Sequence, residues 1–213
     1  LIIDKETFQL KSMKIVLDLN THLSFPAILR DGTDIYIYPE NSASGSSMLY
    51  KYNSEDDSVS VIRQLSNQPL TDAIITKIDD NFYIFTTEIP TQNGNKLSIY
   101  SALDDMESYK LIQNIILFDN TARSAGDIFV DNGRIVRPAQ NCNGGYGVGL
   151  VFQEIIKDSK GDFVLKELFR RKPIKNYIGM HTYNQYKGCY IVDLHARRYP
   201  YLHKCLQFFK NLM

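Results

Sequence analysis

At 213 residues, with 44% hydrophobic and 12% aromatic content and no tryptophan, the chain has the composition of a globular domain and falls outside the disordered and fibrous classes. Lys plus Arg and Asp plus Glu balance at 24 each, so no net field favours a polyanion, which argues against nucleic acid or an anionic membrane surface as partner. Apolar runs such as 115–118 fall far short of the roughly 20 residues a membrane helix needs, and the opening Leu-Ile-Ile-Asp-Lys lacks a secretory layout.

In chain order, residues 13–18 (Met-Lys-Ile-Val-Leu-Asp) form a lone strand-like run. A hairpin then recurs four times: an apolar strand, a tight polar turn, and an aromatic-rich strand of period two. The first copy pairs 25–30 with 35–40 across Asp31-Gly32, and the second pairs 72–78 with 82–88 across Asp79-Asp80. The third pairs 126–130 with 134–137 across Asn132-Gly133, and the fourth pairs 180–184 with 189–193 across Lys187-Gly188. Such dipeptides supply the positive φ that two-residue hairpins need. Each of the first three copies is followed by another pair of strand-like runs, at 47–52 and 59–63, at 97–101 and 109–117, and at 148–152 and 163–167. Two hairpins make one four-stranded antiparallel sheet, and a repeat of about 50 residues matches blade-like periods rather than helical solenoids. The expected fold is therefore an all-β, single-domain β-propeller with units near 21–66, 69–118, 122–172 and 176–213, and a short amphipathic helix is expected at 201–213. A β-sandwich is the alternative.

Cys142, Cys189 and Cys205 are odd in number and widely separated. They read as buried reduced thiols, which favours a reducing compartment such as the cytoplasm. No Cys/His spacing suits a metal, and the glycines of 144–147 form neither a dinucleotide fingerprint nor a Walker loop, so no cofactor is expected.

In a propeller the first strand of each blade lines the central channel, so polar residues at its start converge on one site. Those starts offer His22, Asp72, Arg123 and His181, a set suited to a sugar, a phosphate or a metal. Taken singly, each has a plain structural reading: a hydrogen-bonded histidine, or an Asx turn at Asp72. The stretch Arg137-Pro-Ala-Gln-Asn-Cys-Asn-Gly-Gly-Tyr-Gly147 breaks strand alternation. There Gln140, Asn141 and Asn143 can hydrogen-bond sugar hydroxyls and Tyr146 can stack on a sugar face, the alternative being an ordinary glycine-rich loop. Glu40 and Glu88 each end a second strand and are expected to hydrogen-bond from blade to blade.

These strings carry a resemblance. His22-Leu-Ser-Phe-Pro with Ile35-Tyr-Ile-Tyr-Pro-Glu40, Asp72, Arg137-Pro-Ala-Gln-Asn-Cys with Tyr146-Gly147, and Gly179-Met-His-Thr-Tyr183 resemble the N-terminal propeller of plant glucosamine inositolphosphorylceramide transferases and related bacterial proteins. That family is similar to the five-bladed glycoside hydrolases of family 43, whose sites use three carboxylates. The resemblance implies five blades, of which the first is expected to be missing here, the start at Leu1 suggesting that upstream residues were removed. It also implies that Asp72 is the catalytic-site aspartate that tunes the acid's pKa and orients substrate, and that His181 is a pocket histidine. Arg123 stands where a glutamate general acid is implied, and the implied first-blade base is absent. In the plant enzymes sugar transfer is attributed to a separate domain. The expected function is thus carbohydrate binding, with a saccharide or glycoconjugate as partner and a further domain up- or downstream. The alternatives are a glycosidase using Asp72 and a protein-interaction propeller.

Overall fold

The computed structural model describes residues 1–4, 6–102 and 109–197. The chain divides into two compact units, Leu1–Pro69 and Leu70–Met213. The fold is all-β, of the β-propeller class: three four-stranded antiparallel sheets plus two two-stranded ribbons among the described residues.

The first unit opens with a ribbon of β1 (Ile2–Ile3) and β2 (Leu10–Ser12). Asp4 holds its turn, accepting the N–H groups of Glu6 and Thr7 and pairing with Lys11 at 2.6 Å. No strand forms over 13–18, against expectation. Met13 and Ile15 are exposed, and no neighbouring strand takes up the backbone groups of this run. A four-stranded sheet follows, ordered β3 (Ser24–Asp31), β4 (Asp34–Glu40), β5 (Ser47–Asn53), β6 (Ser58–Ser66). Its first turn is Gly32-Thr33, one residue later than expected, because Asp31 pairs with Asp34.

The second unit holds a sheet of β7 (Leu70–Ile78), β8 (Asn81–Glu88), β9 (Lys96–Ala102) and β10 (Lys110–Ile116). A second sheet is built from β11 (Phe129–Asp131), β12 (Arg134–Asn141), β13 (Gly149–Lys157) and β14 (Phe163–Arg171), and the hairpin β15 (Tyr183–Tyr186) and β16 (Cys189–Val192) follows. Asp79-Asp80, Asn132-Gly133 and Lys187-Gly188 all have both φ angles positive, the geometry that matches hairpin twist. β11 is shorter than expected. The chain ahead of it leaves the ladder and meets β12 through an isolated bridge, Ser124 to Ala139.

Alternation is clear only on the outermost strands. β10 and β14 show mostly exposed residues, whereas β7, β8, β9 and β13 are largely buried on both faces, as expected for sheets packed face to face with their neighbours. One core joins the two sheets of the second unit: Phe85, Leu97 and Ile99 meet Ile155 and Phe163. The Phe163 ring stands edge-on to Tyr83 and Phe85 at 4.9 and 5.6 Å between centroids. Gln113 adds a polar clasp, its amide donating to the carbonyl of Phe163 and accepting from its N–H, both at 2.8 Å. A second core packs Val136, Leu150 and Phe152 against Met180, Tyr183 and Leu194.

Glu88 accepts from the Tyr100 hydroxyl at 3.0 Å and pairs with Lys96 at 3.6 Å. Both partners belong to the same sheet, so the Glu88 bonds described run within a blade rather than between blades. Cys142 is buried and Cys189 half-buried, both free. Cys205 and the helix expected over 201–213 lie outside the described residues. No described helix is long and apolar enough to cross a membrane.

Candidate functional site

The register of β7 against β8 steps from Thr71–Thr87 to Ile74–Phe85, so Asp72 and Ala73 face Thr86 alone. This two-against-one bulge puts Asp72 at φ 45°, a left-handed conformation that aspartate tolerates better than most residues. The bulge turns a buried carboxylate, 2% exposed, away from the ladder. The same step occurs in the first unit, where Ser24 pairs with Glu40 and Ala27 with Tyr38, with Phe25 at φ 43°. Phe25 therefore holds the register that Asp72 holds in the second unit, and His22 lies three residues earlier, exposed.

Two donors converge on one Asp72 oxygen. Arg123 Nε and Gln140 Nε2 each donate to Oδ2 at 2.6 Å. Gln140 also donates to the Ser124 carbonyl at 2.8 Å, while its backbone N–H donates to the Arg123 carbonyl at 2.9 Å. That backbone bond ties the strand carrying Gln140 directly to the segment carrying Arg123. Arg123 Nη1 reaches Asn93 Oδ1 at 2.7 Å, and the Arg123 and Asp72 side chains are only 13% and 3% exposed.

Arg137 fixes the segment from below. Its side chain is fully buried, and its guanidinium donates to the Thr121 and Ala122 carbonyls, to Ser124 Oγ at 3.3 Å and to Gln153 Oε1 at 2.6 Å. Burial pushes its pKa down to about 9, which still leaves it charged at neutral pH.

The loop after β12 supplies the aromatic wall. The Tyr146 ring is half exposed, with the Arg123 guanidinium 4.9 Å from its centroid and the His181 ring edge-on at 5.1 Å. Gly147 makes the approach possible. It sits at φ 59°, and a Cβ there would lie 2.6 Å from His181 Cβ. Burial raises the Tyr146 phenol and the Cys142 thiol above their ordinary pKa values.

His181 Nδ1 pairs with Asp193 Oδ2. The other Asp193 oxygen accepts the backbone N–H groups of His181 and Thr182 at 3.0 and 2.6 Å. Burial acts to raise the Asp193 pKa, but these two N–H groups and the imidazole outweigh it and hold the carboxyl below its ordinary value.

Asp72, Arg123, Gln140, Tyr146 and His181 thus form one chain of contacts. Asn141 turns elsewhere: its side-chain oxygen accepts from the Asn143 N–H and amide at 3.0 and 2.8 Å. Asn143 in turn donates to Asp119, which pairs with Arg170 at 2.8 Å. His22 belongs to the first unit. Asn93, Asp193 and the anchoring role of Arg137 carry no mark of the site in the sequence. Asn93 lies in an ordinary turn loop, whereas Asp193 directly follows β16, across the hairpin from His181, so the hairpin pairing is what brings it to the site. Among the described residues, no group of three or more His, Cys, Asp or Glu is placed to hold a metal ion.

The family model described as glucosamine inositolphosphorylceramide transferase 1, N-terminal, matches residues 3–189. The chain belongs to this family. A glucosamine inositolphosphorylceramide transferase 1 from Oryza sativa subsp. japonica is 27% identical over 158 residues, covering 70% of this chain and 21% of the rice protein. Its Arabidopsis thaliana namesake is 24% identical over 163 residues, covering 73% and 20%. The chain therefore spans about a fifth of the length of the curated relatives it matches.

Among solved structures, an exo-β-1,3-galactanase from Phanerochaete chrysosporium with β-1,3-galactotriose gives a TM-score of 0.59 at 10% identity, over 83% of this chain and 44% of that one. An exo-1,5-α-L-arabinanase from a bovine ruminal metagenomic library gives 0.57 at 12% identity, over 78% and 66%. A family 43 enzyme from Xanthomonas citri complexed with xylose gives 0.57 at 10% identity, over 81% and 66%. At such identities the likeness establishes the propeller fold of this chain.

Proposed function

We propose that this chain is a carbohydrate-binding propeller of a glycan- or glycoconjugate-modifying protein, and that it holds a saccharide at the Asp72–Arg123–Tyr146–His181 cluster without hydrolysing it. The observation that carries this reading is the double engagement of Asp72 Oδ2 by Arg123 and Gln140 at 2.6 Å. A carboxylate held in this way orients its neighbours, whereas most glycosidases need a pair of carboxylates acting as acid and as base or nucleophile. Here the position where the family-43 resemblance implies an acid holds Arg123, and its guanidinium is spent on Asp72 and Asn93. What the cluster does offer is fixed polar groups beside a half-exposed tyrosine ring, the combination that suits hydroxyls and a sugar's apolar C–H face.

The rice and Arabidopsis relatives are named for glucosamine and inositolphosphorylceramide, so a glycolipid headgroup is the glycoconjugate this reading favours. Calorimetric titration with methyl glycosides of glucosamine, galactose and xylose tests it. Binding by the wild type that falls at least tenfold in the Asp72→Ala, Arg123→Ala double variant is expected. Sugar affinity unchanged by the double substitution overturns the site. The glycosidase reading makes the opposite demand: release of nitrophenol from aryl glycosides that disappears in Asp72→Asn.

A further inference from the structure

The His181–Asp193 pair lies at the far end of that chain of contacts from Asp72, joined to it through Tyr146 and Arg123, and its chemistry restricts what a ligand must offer. A carboxylate accepts hydrogen bonds and donates none, so the imidazole nitrogen that meets it must carry a proton. A neutral imidazole has one such proton, and its other nitrogen is then an acceptor. His181 meets Asp193 through Nδ1.

Neither partner is free to turn. Asp193 is held through its other oxygen by two backbone N–H groups. The chain on either side is tied across the hairpin, with the Ile178 and His195 N–H groups donating to the His195 and Gly179 carbonyls at 2.8 and 2.9 Å. On its opposite side His181 abuts Gly147, where there is no room for even a methyl group, and the Tyr146 ring.

We infer that Asp193 is a positioning residue that locks neutral His181 as the Nδ1–H tautomer, so that Nε2 accepts and the site selects ligands that donate a hydroxyl there. This rests on the saccharide reading for its ligand half only. Beside it, Arg123 is a donor-only group and Tyr146 presents an apolar face. The ligand that matches is a hydroxylated ring giving one O–H to His181 and laying its C–H face against Tyr146. A fully ionised phosphate monoester has no proton to give Nε2, so a ring phosphorylated at the hydroxyl that meets His181 loses this bond.

Nitrogen-15 NMR of the histidine-labelled full chain, taken to pH 8.5, reads the tautomer without any ligand, and His181→Gln assigns the signal. A protonated Nδ1 with a bare Nε2 is expected in the wild type. In Asp193→Asn the side-chain oxygen still accepts the two backbone N–H groups while its amide donates toward Nδ1, so the population moves to Nε2–H. An Nε2–H wild type, or a tautomer indifferent to Asp193→Asn, overturns the lock. If Asp193→Asn shifts the unfolding midpoint by more than a few degrees, the wild-type spectrum alone decides it.

For the ligand half, methyl glucosaminide binding is expected to weaken at least tenfold in Asp193→Asn. Sugar binding that survives a shifted tautomer overturns the selection. No sugar binding by the wild type overturns the saccharide reading, while the tautomer remains decided by the NMR.

Discussion

Arg137 carries a full charge with no solvent exposure, and among the described residues its partners are neutral: two carbonyls, a serine hydroxyl and the Gln153 amide oxygen. Replacing it by Met strands several buried acceptors at once, each of which costs on the order of 1–3 kcal/mol when left unpaired. Arg137→Met is therefore expected to lower stability by about 3 kcal/mol in chemical denaturation, and to loosen Arg123, whose neighbours it grips on both sides. Gly147 makes a second residue-level test. Its φ of 59° and the 2.6 Å approach to His181 Cβ mean that Gly147→Ala costs about 2 kcal/mol and shifts the His181 resonances. The candidate polar residues were visible in the sequence because they recur at blade starts. The clamp was not, because its donors to Asp72 come from Arg123 and Gln140, 51 and 68 positions away, and no local pattern encodes contacts at that separation.

At the scale of the strand, the hairpins were legible because period-two alternation and positive-φ dipeptides are local signals. The bulge at Asp72 was hidden: a single extra residue in β7 leaves the apolar pattern Ile74-Ile75 intact and shows only as a register step. The lone strand expected at 13–18 failed for the converse reason, since apolar residues make a strand only when another strand pairs with them. The packing of the two sheets of the second unit centres on Phe85, which has no exposure and meets Phe163 edge-on. Phe85→Ala is expected to cost about 4 kcal/mol, read as a lower denaturation midpoint. Val164→Ala, on the exposed side of β14, should stay within about 0.5 kcal/mol of the wild type.

For the molecule as a whole, acid stability follows from carboxylates held below their ordinary values. Burial acts to raise Asp119, but Arg170, Thr121 and Asn143 outweigh it, and its pKa is lowered from 3.8. Burial likewise acts on Glu88, where Ser98, Tyr100 and Lys96 prevail and the pKa is lowered from 4.5. A depressed carboxyl contributes stability that is fully present above its unfolded-state value and is lost as pH falls through the folded-state value. The share of stability that these two carboxylates hold is thus expected to be complete above about pH 5 and lost progressively below it, and thermal midpoints of Asp119→Asn should show less of that loss. The balanced charge of the chain predicts little dependence of saccharide binding on ionic strength.

Asp72 is, in this reading, a clamped carboxylate within a binding site. The most direct measurement of that is a crystal structure of the chain soaked with whichever glycoside binds in the titration. The sugar ring is predicted to lie against Tyr146, with Asp72 still bonded to Arg123 and Gln140. A sugar bound elsewhere, or one whose glycosidic oxygen meets Asp72 while Arg123 has swung away, contradicts the clamp.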